Sequence, residues 1–376
     1  MRFGFTDEQE QFREVLRRFL EDKSPATEVR RLMETEAGCD PAVWRQISQD
    51  LGLTGIHIPE SYGGQGFGAV ELGIALEEMG RALLCAPYFA STVLAATAIL
   101  NAGTEDQKRA LLPDIAAGET IATFAIAEDT GLWDGAGVAA TATPADGGFR
   151  LDGVKSFVLD GHTADLIVVL ARAPGTTGAE GLSLFTVAGD AKGLTRTPLE
   201  TIDPTRKLAR LTFTSVDAAL LGEAGKAAAP VARTIDLAAV ALANEMVGGA
   251  EKLRQQAMDY AQMRMQFGRP IASFQVTKHK AADMLVDVEL ARSAAYYAAE
   301  AAAEDDPDLP ALASLAKARA SDAYMQMAIH AVQIHGGIGF TWDNDTHLWF
   351  KRAKSSEVFL GDASHHRELL MQRWNV

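Results

Sequence analysis

Five things this 376-residue chain lacks narrow what it can be. Its two cysteines, Cys39 and Cys85, stand far apart with no paired spacing, which excludes a disulfide framework and a zinc site of the usual pattern and makes a reducing cytoplasm the expected compartment. No apolar run approaches the ~18 residues a membrane-spanning helix needs. The opening stretch "MRFGFTDEQEQFREVLRRFL" mixes acids and bases at helical period and does not read as a signal peptide. Basic charge is short as well: 35 Lys and Arg face 50 Asp and Glu, and the net charge of −15 repels a phosphate backbone. An anionic ligand therefore needs a local basic or backbone-amide site. Internal repeats and low-complexity tails are missing too.

What is present is helix, then sheet, then helix. Thr6 precedes Asp7, Glu8 and Gln9 as a capping box, and Phe12, Leu16, Phe19 and Leu20 mark one face of the helix it starts. The loop "PESYGGQGFG" interrupts the helical pattern, and a helix from Thr104 is expected to end at the proline and glycine of "LLPDIAAGE". From Ile121 to Leu221 β-branched and apolar residues alternate between turn residues, which predicts a β domain. Alanine-rich helices follow, one of them ~25 residues long and on the scale of bundle packing. The expected fold is mostly α with an inserted β domain. Its predicted parts are an N-terminal α-helical domain (1–118), a middle β domain (119–228) and a C-terminal helical bundle domain (229–376), with the two helical blocks packed together.

Several phrases carry more than fold. "RMQFGRPIASFQ" (264–275) puts Arg264 at a helix end, turns at Phe267 and Gly268, and blocks further helix with Pro270; an arginine fork there suits a pyrophosphate, although a solvent-facing arginine has the same look. "QIHGGIGF" (333–340) places Gln333 before paired glycines, Gly336 and Gly337, which let a backbone approach a ligand or simply cap a helix. With "LLPDIAAGE" and "GVKSFVLDGHTADLIVV", in this order and spacing, the chain resembles the acyl-CoA dehydrogenase family along its whole length. That resemblance implies an N-terminal helical domain, a barrel-like β domain and a C-terminal four-helix bundle, assembled as a dimer of dimers. It also implies FAD, an acyl-CoA substrate and an electron-transfer flavoprotein as electron acceptor. The implied chemistry removes an α proton with a carboxylate while the β hydrogen leaves as hydride. The resemblance implies that Gln333 and Gly337 hold the ADP half of FAD across a subunit interface and that Arg264 and Phe267 touch FAD in the same lent clamp, with Gln275, Gly336 and Phe157 as further cofactor-binding candidates.

Other positions depart from the family. The Thr-Glu-Pro and Ala-Gly-Ser-Asp run that faces the flavin appears as "AEDTGLWDGAG", with Ala127 for threonine and Asp129 for proline. Trp-Ile-Thr appears as Phe157, Val158 and Leu159, which keeps an aromatic and loses a hydroxyl. In "VFLGDASHHR" the family's Glu-Gly-Thr falls on Leu360, Gly361 and Asp362, so the base position holds a leucine; the alternative position on the long helix is Ala238. Glu245, two turns beyond Ala238 on the same face, and Asp362 are the substitute carboxylates, Glu245 having a buried structural role as its other reading. His365 and His366 point ~100° apart on a helix and cannot share a metal ion.

Three readings follow. The chain is a subunit of a hetero-oligomeric acyl-CoA dehydrogenase, a heterotetramer of the kind bacteria use on bulky acyl-CoA such as steroid side chains, lending its clamp to a catalytic partner. Or it is a self-sufficient homo-oligomer with Glu245 or Asp362 as base. Or it is an acyl-CoA oxidase or flavin monooxygenase relative. Ala238, Ala239, Ala241, Ala243 and Gly248 to Ala250 would leave room for a bulky acyl group if their face lines the channel.

Overall fold

The computed structural model describes residues 4–375. Helices α1 (Asp7–Lys23), α2 (Ala26–Met33), α3 (Pro41–Arg45), α4 (Ala69–Ala82), α5 (Thr97–Ala102) and α6 (Glu105–Ala116) precede the sheet. Helices α7 (Ala228–Met263), α8 (Gln275–Ala303), α9 (Leu309–His335), α10 (Thr346–Val358) and α11 (Ala363–Arg373) follow it. The Thr6 capping box forms as its spacing predicts, with the hydroxyl accepting from Gln9 N at 3.2 Å and Gln9 Oε1 accepting from Thr6 N at 2.9 Å.

The chain folds as two compact units, one of Met1–Arg31, Ala69–Leu84 and Ala239–Val376, the other of Leu32–Gly68 and Cys85–Ala238. In the first, helices from both ends of the chain do pack together. Helix α4 lies against α7 almost backbone to backbone: a Cβ on Gly80 would stand 2.0 Å from the Glu245 carbonyl oxygen, and one on Gly248 1.8 Å from that of Glu77. The Tyr324 hydroxyl occupies the space over Gly249, 2.3 Å from where its Cβ would be. Ala239, Ala241 and Ala243 are buried. Gly248 and Gly249 thus serve close helix contact and leave no room for an acyl chain where α4 and Tyr324 cover them. Helices α8 and α9 form a pair on which α10 and α11 rest. The expected fourth bundle helix is broken into α10 and α11, because Leu360 (φ 60°) and Gly361 (φ 98°) both adopt left-handed backbone, which no α-helix continues through.

The second unit is built on β1 (Ala122–Ala125), β2 (Thr141–Ala145), β3 (Gly148–Leu159), β4 (Leu166–Arg172), β5 (Leu182–Ala188), β6 (Leu194–Leu199) and β7 (Leu208–Leu221). The long strands β3 and β7 pair antiparallel, β6 adds to β7, and β1 runs parallel to β4. Pairing passes from β4 through β2, β3, β7 and β5 and returns to β4, the β2–β4 join being a single pair, Thr141 with Arg172. Ile167, Val169, Phe185, Leu211 and Phe213 fill its core. Pro113 does not end α6; it lies inside the helix, and the chain turns at Gly118 (φ 72°). Among the described residues no helix is long and apolar enough to cross a membrane.

Candidate functional site

One end of the first unit gathers most of the residues singled out from the sequence. Helix α7 stops at Met263, and Arg264 N still donates to Tyr260 O at 2.8 Å. The chain then folds back in a minimal hairpin, β8 (Met265–Gln266) on β9 (Arg269–Pro270), whose two turn residues Phe267 (φ 51°) and Gly268 (φ 76°) are both left-handed, as a two-residue type I′ turn requires. A phenylalanine in that region is strained. Its ring is 92% exposed, edge-on to Phe274, over which the Arg269 guanidinium lies at 4.1 Å. Tyr260 stacks on His335 at 4.4 Å, and Lys280 Nζ donates to Gln333 Oε1 at 2.7 Å, so the end of α7, the start of α8 with Gln275, and the end of α9 meet.

At this end the donors are unspent. Arg264 is exposed and makes no side-chain bond among the described residues, and the Gln333 amide NH₂ has no partner there either. Gly336 (φ 65°) caps α9, and a Cβ on Gly336 or Gly337 would meet nothing within 4 Å. A guanidinium fork and an amide NH₂, beside an ammonium anchored on Gln333 and glycine backbone that a ligand can approach, form a set that fits a pyrophosphate. Around it stand Met263, Met265, Val276, Trp342 and Phe340, the last 80% exposed, an apolar display of the kind that marks a contact surface.

The Leu360 region is the opposite in character. Leu360 is 1% exposed and held in its strained conformation by buried polar groups from two helices. Lys317 Nζ, fully buried, donates to Gly361 O at 2.9 Å, Glu357 O at 3.1 Å and Ser321 Oγ at 3.0 Å. His366 Nε2 donates to Leu360 O at 3.0 Å, and burial, with Lys317 nearby, pushes its pKa down to about 3. Asp362 caps α11, its carboxylate accepting from His365 N at 2.8 Å. Glu245 is paired with Arg352 at 3.0 Å, the side chains 7% and 5% exposed. Glu245 precedes Arg264 by nineteen residues of α7, ~28 Å of helix, and Lys317 precedes Gln333 by sixteen of α9, ~24 Å. Base candidates and clamp therefore lie far apart along the same helices.

In the second unit the run that aligns with the family's flavin-facing stretch bonds largely within itself. Glu128 accepts from Lys155 Nζ and from the amides of Ala139 and Ala140, each at 2.9 Å. Burial lowers the Lys155 pKa to about 8 against the pull of Glu128. Asp129 accepts from Ser156 Oγ at 2.6 Å and from both terminal nitrogens of Arg210, which, with Ser156, hold its carboxyl below the usual range. The amides of Gly131, Leu132, Ala136, Gly137 and Val138 all find acceptors within the loop. Phe157 (φ 58°) sits in a bulge of β3, half-exposed. Sequence reasoning missed Arg210, Lys317 and Arg352. A lysine at Lys317 in an alanine-rich helix is the one local signal that pointed to any of them.

Comparison with known proteins covers the chain. The N-terminal, middle and C-terminal domain models of acyl-CoA dehydrogenase match residues 6–119, 123–216 and 229–374. Acyl-CoA dehydrogenase IpdE2 of Mycolicibacterium smegmatis is 32% identical over 95% of both chains. A solved Tcur3481–Tcur3483 steroid ACAD variant superposes with a TM-score of 0.88 at 32% identity over 98% of each chain. The ChsE4–ChsE5 complex from Mycobacterium tuberculosis gives a TM-score of 0.88 at 27% identity, covering 100% of this chain and 99% of that one.

Proposed function

This chain belongs to the acyl-CoA dehydrogenase family, and we propose that within it the chain serves as one subunit of a hetero-oligomer, holding the ADP end of FAD for a partner chain that carries the base. One observation supports this most: the Arg264 guanidinium and the Gln333 NH₂ are exposed and unspent, while seven amides between Gly131 and Ala140 are bonded within the loop and the aligned base position is a buried leucine. Arg264 would hold phosphate oxygens with its fork, Gln333 would offer its NH₂, and Gly336 and Gly337 would let the cofactor approach the backbone. Gln275 and Phe267 border the same ligand.

FAD, when bound, supplies the acceptor for the β hydrogen. The α proton goes to a carboxylate of the partner, since Glu245 is committed to Arg352 and Asp362 to the start of α11. Phe157 remains an exposed aromatic platform without the neighbouring hydroxyl. An electron-transfer flavoprotein takes the electrons onward. The acyl group is bulky and steroid-like on this reading, a choice resting on the steroid enzyme named above and no longer on the small residues of α7. The test is expression of the chain alone and with a sister acyl-CoA dehydrogenase chain. The reading requires substoichiometric FAD in the first preparation and about one FAD per pair in the second. Rapid oxygen consumption by the reduced complex would favour the oxidase reading instead.

A further inference from the structure

We propose that the first unit carries a second ligand site, for an amphipathic carboxylate, separate from the cofactor clamp and from the Leu360 turn. Between α1, α4, α7 and α8 lies a cavity of about 730 Å³, within the size of small-molecule sites. A smaller one of about 300 Å³ adjoins it, sharing Arg17, Glu77 and Arg292 as common wall. None of the clamp residues or the Leu360 turn lines either cavity.

The two chambers differ in chemistry. The larger is walled by the rings of Phe5, Tyr296 and Tyr297 with Val70 and Ala299, a bed for an apolar body. Its deepest cation, Arg13, is already spent on Glu77 at 2.7 Å, Glu78 at 3.3 Å and the Tyr296 hydroxyl at 3.1 Å. The smaller chamber is lined by the guanidiniums of Arg17, Arg81, Arg254 and Arg292 and the carboxylates of Glu77, Glu78 and Glu251, whereas Glu10 and Glu300 stand at the wall of the larger one. Arg17 gives two bonds to Glu78, and Arg254 two to Glu251. Arg81 makes a single bond, to Gln255 at 2.8 Å. Arg292 turns Nη1 outward to Glu289, while its Nε and Nη2 stand 3.6 Å from Glu77 and Glu251, beyond hydrogen-bond distance. The remaining donors of Arg81, with Arg292 held only at ion-pair distance in the common wall, beside an aromatic chamber, match a ligand with a carboxylate head and an apolar body.

The probe is 11-(dansylamino)undecanoate, titrated into the purified full chain and followed by fluorescence, with its methyl ester as the uncharged control. The acid binds saturably with blue-shifted emission, and the ester roughly tenfold more weakly, as loss of a charge-assisted hydrogen bond dictates. Arg292→Gln reduces the acid to the level of the ester; should that variant not fold, Arg81→Gln reads the same preference. Ser293→Trp, at the wall of the larger chamber, abolishes binding of both forms. Excess acyl-CoA leaves the probe in place. The proposal is overturned if nothing binds saturably, if acid and ester bind alike, if neither arginine variant changes the ratio, or if acyl-CoA or Arg264→Ala displaces the probe and so assigns it to the reaction site.

Discussion

The two ends of the C-terminal helices hold strained backbone for opposite purposes. Phe267 and Leu360 are both bulky residues with φ near 50–60°, yet one ring is 92% exposed at a hairpin tip and the other side chain is 1% exposed. Around Phe267 the Arg264 guanidinium and the Gln333 NH₂ have no hydrogen-bond acceptor among the described residues, although Gln333 Oε1 accepts from Lys280. Around Leu360, Lys317 and His366 spend theirs on the two carbonyls of the turn itself. Strain beside open donors suits a ligand to be added, whereas strain inside a satisfied network belongs to the fold. The proposed role, binding for a partner that carries the base, rests on this contrast between an open end and a closed one.

The largest effect that can break this contrast lies in the buried pair. Arg352→Met leaves the Glu245 carboxylate buried without its guanidinium and should cost ~3–5 kcal/mol of stability, read by denaturant unfolding. Glu245→Gln, in a complex that still assembles and binds FAD, should leave turnover within a few-fold of wild type, because losing a true general base costs ~100- to 10,000-fold. A thousandfold drop there would make this chain a catalyst with a relocated carboxylate.

The clamp comes next. Arg264→Ala should weaken FAD retention ~10- to 150-fold, the worth of a charge-assisted hydrogen bond to phosphate, with the melting temperature unchanged. Equal retention in wild type and variant would remove Arg264 from the cofactor site.

At the closed end the expected signature is pH. The folded pKa of His366 is about 3 and the ordinary value 6.5, so the unfolded chain binds the extra proton first. The stabilisation is complete above the ordinary value and is lost as pH falls from there towards 3, with a slope approaching ~1.4 kcal/mol per pH unit. His366→Gln should flatten that limb of the acid-unfolding curve. The smallest change is expected of Asp129→Ala, which opens an exposed clasp with Arg210 and should leave the melting temperature nearly where it was.

Features encoded by neighbours in sequence were the readable ones. The Thr6 cap, the turn at Phe267 and Gly268, the glycine end of α9 and the sheet between Ile121 and Leu221 all depend on local backbone chemistry. That Leu360 stands where the family carries its base was read from the sequence alone, and the structure adds that it is buried. Features made by distant partners were not: Arg352 meets Glu245 across 107 residues, and Arg210 meets Asp129 across 81. The small residues of α7 misled for the same reason, since an alanine or glycine face can border a channel or a close-packed helix, and only the position of α4 and Tyr324 decides which. The proline of α6 was read as a stop because it removes a backbone donor, yet the helix runs through it to Ala116.

The measurement that bears most directly on the division of labour is flavin content against mass in solution, for the chain purified alone and for the chain co-expressed with a sister acyl-CoA dehydrogenase subunit. The account predicts less than one FAD per chain alone and about one FAD per pair in a mixed oligomer. One FAD on every chain of a homo-oligomer that turns over acyl-CoA would contradict it.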